Sequence, residues 1–155
     1  MYGARMDEAS IDIAAPRDKV FALIADFANM SRWSPELRRI IWIGGAKGPA
    51  VGARFAGVNR HGPVPWATFS KVTKYDEGSA VEWEVSTSGT RWGYRFEDAP
   101  GGGTRVTEYR EPYKDTMALV KAVQRSGLIG RNREDLMRAG MQTTLERVKA
   151  AAESG

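Results

Sequence analysis

Cysteine is absent from this 155-residue chain. Its absence removes disulfides, thiolate nucleophiles and thiolate metal sites, and it fits a reducing cytoplasm. Histidine occurs once, at His61. That leaves only carboxylate metal sites, and no suitable acidic cluster stands out in the sequence, so neither a metal nor another cofactor is expected. There is no apolar run of about 18 residues, and "MYGARMDEASIDI" lacks the apolar stretch of a signal peptide. A soluble, cytoplasmic protein is expected. GxSxG, HExxH and GxxxxGK[ST] are all missing, and the glycines of "GGAKGPAVG" and "GGG" are turns without phosphate-loop context. Nor is there a zinc finger, basic zipper or RNA-binding signature, so nucleic acid is not an expected partner.

What is present belongs to an ordinary globule, 42% apolar and 27% charged. The length suits one domain, expected over residues 8–152 with flexible ends at 1–7 and 153–155. At this size roughly two-thirds of the unfolded surface can be buried, so a core forms without covalent staples. The net charge of +4 is unevenly spread. Arg32, Arg38, Arg39, Lys47, Arg54 and Arg60 meet a single acid, Glu36, whereas Asp76, Glu77, Glu82, Glu84, Glu97 and Asp98 meet only Arg91 and Arg95. Such asymmetry steers an anionic ligand or a transient membrane contact, or it is simply a mixed solvated surface. The sequence sets no oligomeric state.

Along the chain, "EASIDIA" at 8–14 alternates as a first strand. Pro16 suits the first turn of a helix, and Val20, Ile24 and Phe27 follow at helical spacing, which predicts a short helix over 16–27. "ANMSRWSPEL" reads as a second short helix or turn. From 37 to 112 the period becomes two, through "LRRIIWI", "ARFAGVN", "WATFSKVTKY", "AVEWEVST", "TRWGYRFED" and "TRVTEYRE". Alternation joined by short turns means an antiparallel meander with one buried face. The tail reads as helix over 115–126, an interruption at "GLIG", and a longer helix over 131–152. On that helix Met137, Met141, Leu145, Val148 and Ala152 form one apolar face.

Seven strands at about 4.8 Å spacing make a sheet roughly 34 Å wide. A helix over 131–152 is about 33 Å long but only about 10 Å across. One helix cannot cover so wide a flat sheet. The sheet must curl around it, with the short helices closing one end, and such an arrangement tends to leave a cavity.

With this order, the chain resembles the helix-grip superfamily of START lipid-transfer domains, birch-pollen-allergen-like proteins and bacterial polyketide cyclase/dehydrase-like proteins. The resemblance rests on "SIDIAAPRDKVFALIADFANMSRWSPEL", "GARFAGVNRHGPVPW", "PGGGTRVTEYRE" and "NREDLMRAGMQTTLERVKAAAE". It implies an α+β fold, a curved seven-stranded antiparallel sheet wrapped around a long C-terminal helix. Within the superfamily it is most similar to the small bacterial polyketide cyclase/dehydrase-like proteins, which implies a hydrophobic-ligand pocket and, in some members, ring-closing chemistry. A fold of this kind hosts binders and enzymes alike.

The last hairpin allows two registers. In one, Phe96 faces Val106, Tyr94 faces Glu108 and Trp92 faces Arg110, all pointing inward. A slip of one residue would turn Arg105, Thr107 and Tyr109 inward instead. The first is preferred because it buries Val106 rather than Arg105. It places Glu108 and Arg110 two residues apart inside an aromatic cavity, as polar recognition groups or, in an enzyme, as the catalytic pair. A desolvated Glu108 has a raised pKa unless Arg110 offsets it. Phe55, Asn59, Trp83, Trp92, Tyr94 and Phe96 are expected to line the ligand site from the sheet, and Met137 and Met141 from the helix. Trp33, Arg60, His61 and Trp66 are expected at its entrance. His61 lies in the hairpin connection "NRHGPVP" with no Asp nearby in sequence to orient it, which favours a rim position over a catalytic base.

Three functions fit these residues. One is a binder enclosing a lipid-like, polyketide-like or aromatic molecule. A second is a cyclase or dehydratase in which Glu108 exchanges protons and Arg110 stabilises enolate charge. The third is an interaction module whose interior is filled by its own side chains.

Overall fold

The computed structural model describes residues 7–114 and 133–154. The predicted helix over 115–126 and its interruption lie outside them. The first strand, β1, is Asp7–Ile13. The first helix, α1, is Arg17–Ala25, followed by a 3₁₀ helix at Phe27–Arg32. Six strands then follow: β2 (Leu37–Ile43), β3 (Arg54–His61), β4 (Val64–Asp76), β5 (Ala80–Val85), β6 (Thr90–Asp98) and β7 (Thr104–Pro112). The long helix α2 is Arg133–Glu153.

The strands form one antiparallel sheet in the order β1-β7-β6-β5-β4-β3-β2. A chain of hairpins runs from β2 to β7, and β1 returns to the outer side of β7, pairing Asp7 with Arg110 and Ile11 with Val106. The last hairpin takes the register in which Phe96 opposes Val106, Tyr94 opposes Glu108 and Trp92 opposes Arg110.

The first helix ends two residues sooner than its spacing predicts. Asp26 leaves helical geometry (φ −81°, ψ 78°). The bend turns Phe27 into the sheet, where its ring meets Trp42, Phe55 and Trp83 at 5.9, 5.6 and 5.3 Å. A continuous helix would have kept Phe27 on the same stripe as Val20 and Ile24. In β4, the register shifts between Val72 and Lys74, so Val72 is buried and Tyr75 still reaches the ring of Phe21. An extra residue in one strand resets the inward face in this way.

Coverage of the sheet is uneven, as the width argument requires. The long helix packs chiefly on β1, with smaller contacts to α1 and β7, and the 3₁₀ helix packs on β2. One end of the inner face is sealed by α1, whose Phe21 ring lies 5.1 Å from Phe96. The other end of the inner face is left uncovered by α1.

Candidate functional site

At that end a cavity of about 1610 Å³ lies between the sheet and α2. Period-two alternation brings its wall together in rows across neighbouring strands. One row joins Phe55, Ser70 and Val85. The next joins Trp83, Trp92 and Arg110. A third sets Tyr94 beside Glu108. Met137 and Met141 line the cavity from α2. Gly57 also lines it; a Cβ there would come within 2.8 Å of Thr68 Oγ1.

Glu108 is the most unusual group in this wall. It is 4% exposed. The Tyr94 hydroxyl donates to its Oε2 at 3.0 Å. Its Oε1 is buried and has no hydrogen-bond partner among the described residues. Burial raises its pKa to about 8, and the bond from Tyr94 offsets this only partly. Burial likewise pushes the Tyr94 hydroxyl well above its ordinary value. The pair therefore presents a neutral carboxyl and a neutral phenol to the cavity at pH 7.

Arg110 does not supply the offset that its spacing suggested. Its Nη2 lies 2.8 Å from Asp7 Oδ2, and its guanidinium sits 5.8 Å from the centre of the Trp92 ring. The pairing of β1 with β7 brings Asp7 opposite Arg110 and draws the charge away from Glu108. Arg110 still lines the cavity, as part of an ion pair.

Asn59 lines the cavity, with Nδ2 donating to Thr68 Oγ1 at 3.2 Å and to the Gly57 carbonyl at 3.4 Å. His61 ends β3 and pairs with Val64 across a two-residue turn. It has an acidic partner after all: Glu36 Oε2 is 3.2 Å from His61 Nδ1, reaching across from the segment before β2. The His61 side chain is 40% exposed. Arg60, Trp66 and Arg38 also line the cavity, Arg38 and Arg60 being exposed.

Two expected residues lie elsewhere. Phe96 does not line the cavity. It is 3% exposed and packs under α1 against Phe21, because α1 covers the far end of β6. Trp33 is not at the entrance. It is 4% exposed, and its carbonyl accepts hydrogen bonds from Thr144 and Arg147 of α2 at 3.3 and 3.2 Å. Its ring belongs to the buried core cluster instead.

Sequence reasoning passed over Ser70, a buried polar residue of the wall, and Glu36, which lines the cavity beside His61. Ser70 was findable, since Trp66, Thr68 and Ser70 alternate with exposed residues along β4. The acids of 76–98 largely leave the site alone. Glu82 and Glu84 gather on Arg91 with Glu111, at 3.7, 2.8 and 3.0 Å. Among the described residues, there is no group of acids and histidine able to hold a metal, and no helix is long and apolar enough to cross a membrane.

Comparison with known proteins agrees with the fold. The polyketide-cyclase-like protein Cgl2372 from Corynebacterium glutamicum is 27% identical, over 99% of this chain and 92% of that one, with a TM-score of 0.59. TTHA0849 from Thermus thermophilus, at 17% identity over 97% of this chain and 100% of that one, superimposes with a TM-score of 0.71. The di-domain ARO/CYC StfQ from the steffimycin biosynthetic pathway is 13% identical over 97% of this chain and 51% of that one, with a TM-score of 0.72. These last two likenesses concern the fold alone. Among curated proteins, Rv0088 of Mycobacterium tuberculosis is 34% identical over 103 residues, 64% of this chain but only 44% of that protein's length. The family profile described as polyketide cyclase / dehydrase and lipid transport matches residues 8–153, and the chain belongs to that family.

Proposed function

We propose that the protein binds a hydrophobic small molecule, lipid-like, polyketide-like or aromatic, between its sheet and α2. The observation that carries this reading is the cavity of about 1610 Å³ walled by Trp83, Trp92, Tyr94, Met137 and Met141. Each 100 Å² of apolar ligand surface removed from water contributes about 2.5 kcal/mol. Association and ordering costs then subtract from that gain. A filled interior, as an interaction module would have, is harder to reconcile with such a volume.

Native mass spectrometry of the protein purified from cells tests this. A non-covalent adduct of a few hundred daltons is expected, on the order of a drug-sized ligand. Ser70→Phe, which fills the wall without touching the helix contacts, should remove it. An adduct that persists undiminished in Ser70→Phe lies outside the cavity. If the wild type carries no adduct and also takes up no added hydrophobic dye, the reading fails.

A second reading is supported by the neutral carboxyl of Glu108 beside the Tyr94 hydroxyl. In a cyclase acting on a ketone-bearing chain that the aromatic wall holds folded, Glu108 gives its proton to the carbonyl oxygen as an enol carbon of the same chain bonds to the carbonyl carbon, and the enol O–H proton returns to the Glu108 carboxylate. The description of the chain's family, polyketide cyclase / dehydrase and lipid transport, supports this reading. Glu108→Gln would then abolish turnover and leave binding of neutral compounds intact.

A further inference from the structure

One buried oxygen in the cavity wall has incomplete hydrogen bonding, and it constrains the ligand. Glu108 Oε2 accepts from Tyr94, whereas Oε1 has no partner among the described residues. A buried polar atom left unsatisfied is destabilising, because it has given up its water and gained no partner. A carboxylate here would be costlier still, as a desolvated charge with one hydrogen bond. The neutral acid removes that charge, and with Oε2 acting as the acceptor, the acidic hydrogen belongs on Oε1. A group that completes this arrangement must accept a hydrogen bond and carry no negative charge.

We propose that Glu108 is a hydrogen-bond donor to a neutral carbonyl oxygen at the buried end of the ligand, so that the site selects ketones, esters or amides and rejects carboxylates. This rests on the reading of the cavity as a hydrophobic-ligand site. The surroundings agree with it. From β6 the ionisable neighbour is Tyr94, which itself stays neutral. From β7 and β1 the charged neighbours are Arg110 and Asp7, closed on each other at 2.8 Å. From α2 the buried residues are Met141, Thr144, Leu145, Val148 and Ala152, which carry no charge. Its charged groups here are Asp135, which lines the cavity, and Arg138, which pairs with Asp135 at 3.1 Å and with Asp7 at 3.3 Å. Arg110 is thus occupied by Asp7 and is a poor receiver for a ligand carboxylate, while Glu108 is placed to donate to an oxygen that has no charge.

Three probes sharing one dimethylaminonaphthalene core test this: one bearing a propionyl group, one a propyl group and one a carboxylate. Their affinities for wild type, Glu108→Leu and Glu108→Gln are measured by quenching of tryptophan emission. The propionyl-to-propyl affinity ratio should fall about fivefold in Glu108→Leu, the worth of one neutral hydrogen bond. It should survive in Glu108→Gln, whose amide N–H also donates. Between about pH 6 and about pH 9 the ratio should fall in wild type, as the acid loses its hydrogen, and hold steady in Glu108→Gln. The infrared carbonyl band of the bound propionyl probe should lie at lower frequency in wild type than in Glu108→Leu. A ratio unchanged in Glu108→Leu, or a preference for the carboxylate probe at about pH 6, overturns the donor role and leaves the hydrophobic site standing. Failure of all three probes to bind overturns the hydrophobic site itself, and the donor role with it.

Discussion

Glu108 shows how burial alone changes a residue's chemistry. Its carboxyl titrates at about 8 rather than the ordinary 4.5. Between those values the unfolded chain has lost the proton and the folded chain still holds it. Stability therefore falls as pH rises through that window, by at most about 1.4 kcal/mol per pH unit. Below the window both states are protonated, and above it both are ionised, so the loss levels off. Urea unfolding of wild type and Glu108→Gln between about pH 5 and about pH 8 should show the wild type losing stability relative to the variant. Parallel curves would mean that the carboxyl is already ionised in the fold. The inward placement of Glu108 was legible from alternation, since burying Val106 forces Glu108 to the same face. Its isolation from Arg110 was not legible, because Asp7 joins Arg110 only through the distant pairing of β1 with β7. For the same reason Glu36 was invisible as the partner of His61: no local pattern links the segment before β2 to the tip of the β3–β4 hairpin.

At the scale of elements, period-two patterning identified all six strands of the meander, because apolar and polar residues alternate along them, even in β7, where Val106, Thr107, Glu108 and Tyr109 are all buried. It gave the face of Phe96 but not its neighbours, since alternation says nothing about how far along a strand a covering helix extends. The spacing of Val20, Ile24 and Phe27 ran through the end of α1 for a similar reason: Phe27 is apolar and buried, but against the sheet. On the outer face, Tyr109 lies over Gly93 and donates to Glu82 Oε1 at 2.6 Å. A Cβ at residue 93 would sit 2.8 Å from Tyr109 Cε1 and overlap other atoms of the ring. Gly93→Ala should therefore lower stability by about 1–3 kcal/mol, as overpacking does. Chemical denaturation would show it, and Tyr109→Ala in the same chain should relieve most of the clash. A Gly93→Ala protein as stable as wild type would mean that the tyrosine does not pack there.

The whole molecule follows from a mismatch of widths. A seven-stranded sheet is several times wider than one helix, so α2 covers one side, the 3₁₀ helix the other, and α1 one end. The remaining space is walled by the large side chains that alternation turns inward, with the exposed cations Arg38 and Arg60 also among its lining. That general shape was legible in strand count and helix length, and in the resemblance to helix-grip proteins. The most direct test is a crystal structure grown with the propionyl naphthalene probe. The account predicts density for the probe between Trp83, Trp92 and α2, with its carbonyl oxygen within hydrogen-bonding distance of Glu108. Density only on the outer surface, or an interior closed solid by the protein's own side chains, would contradict it.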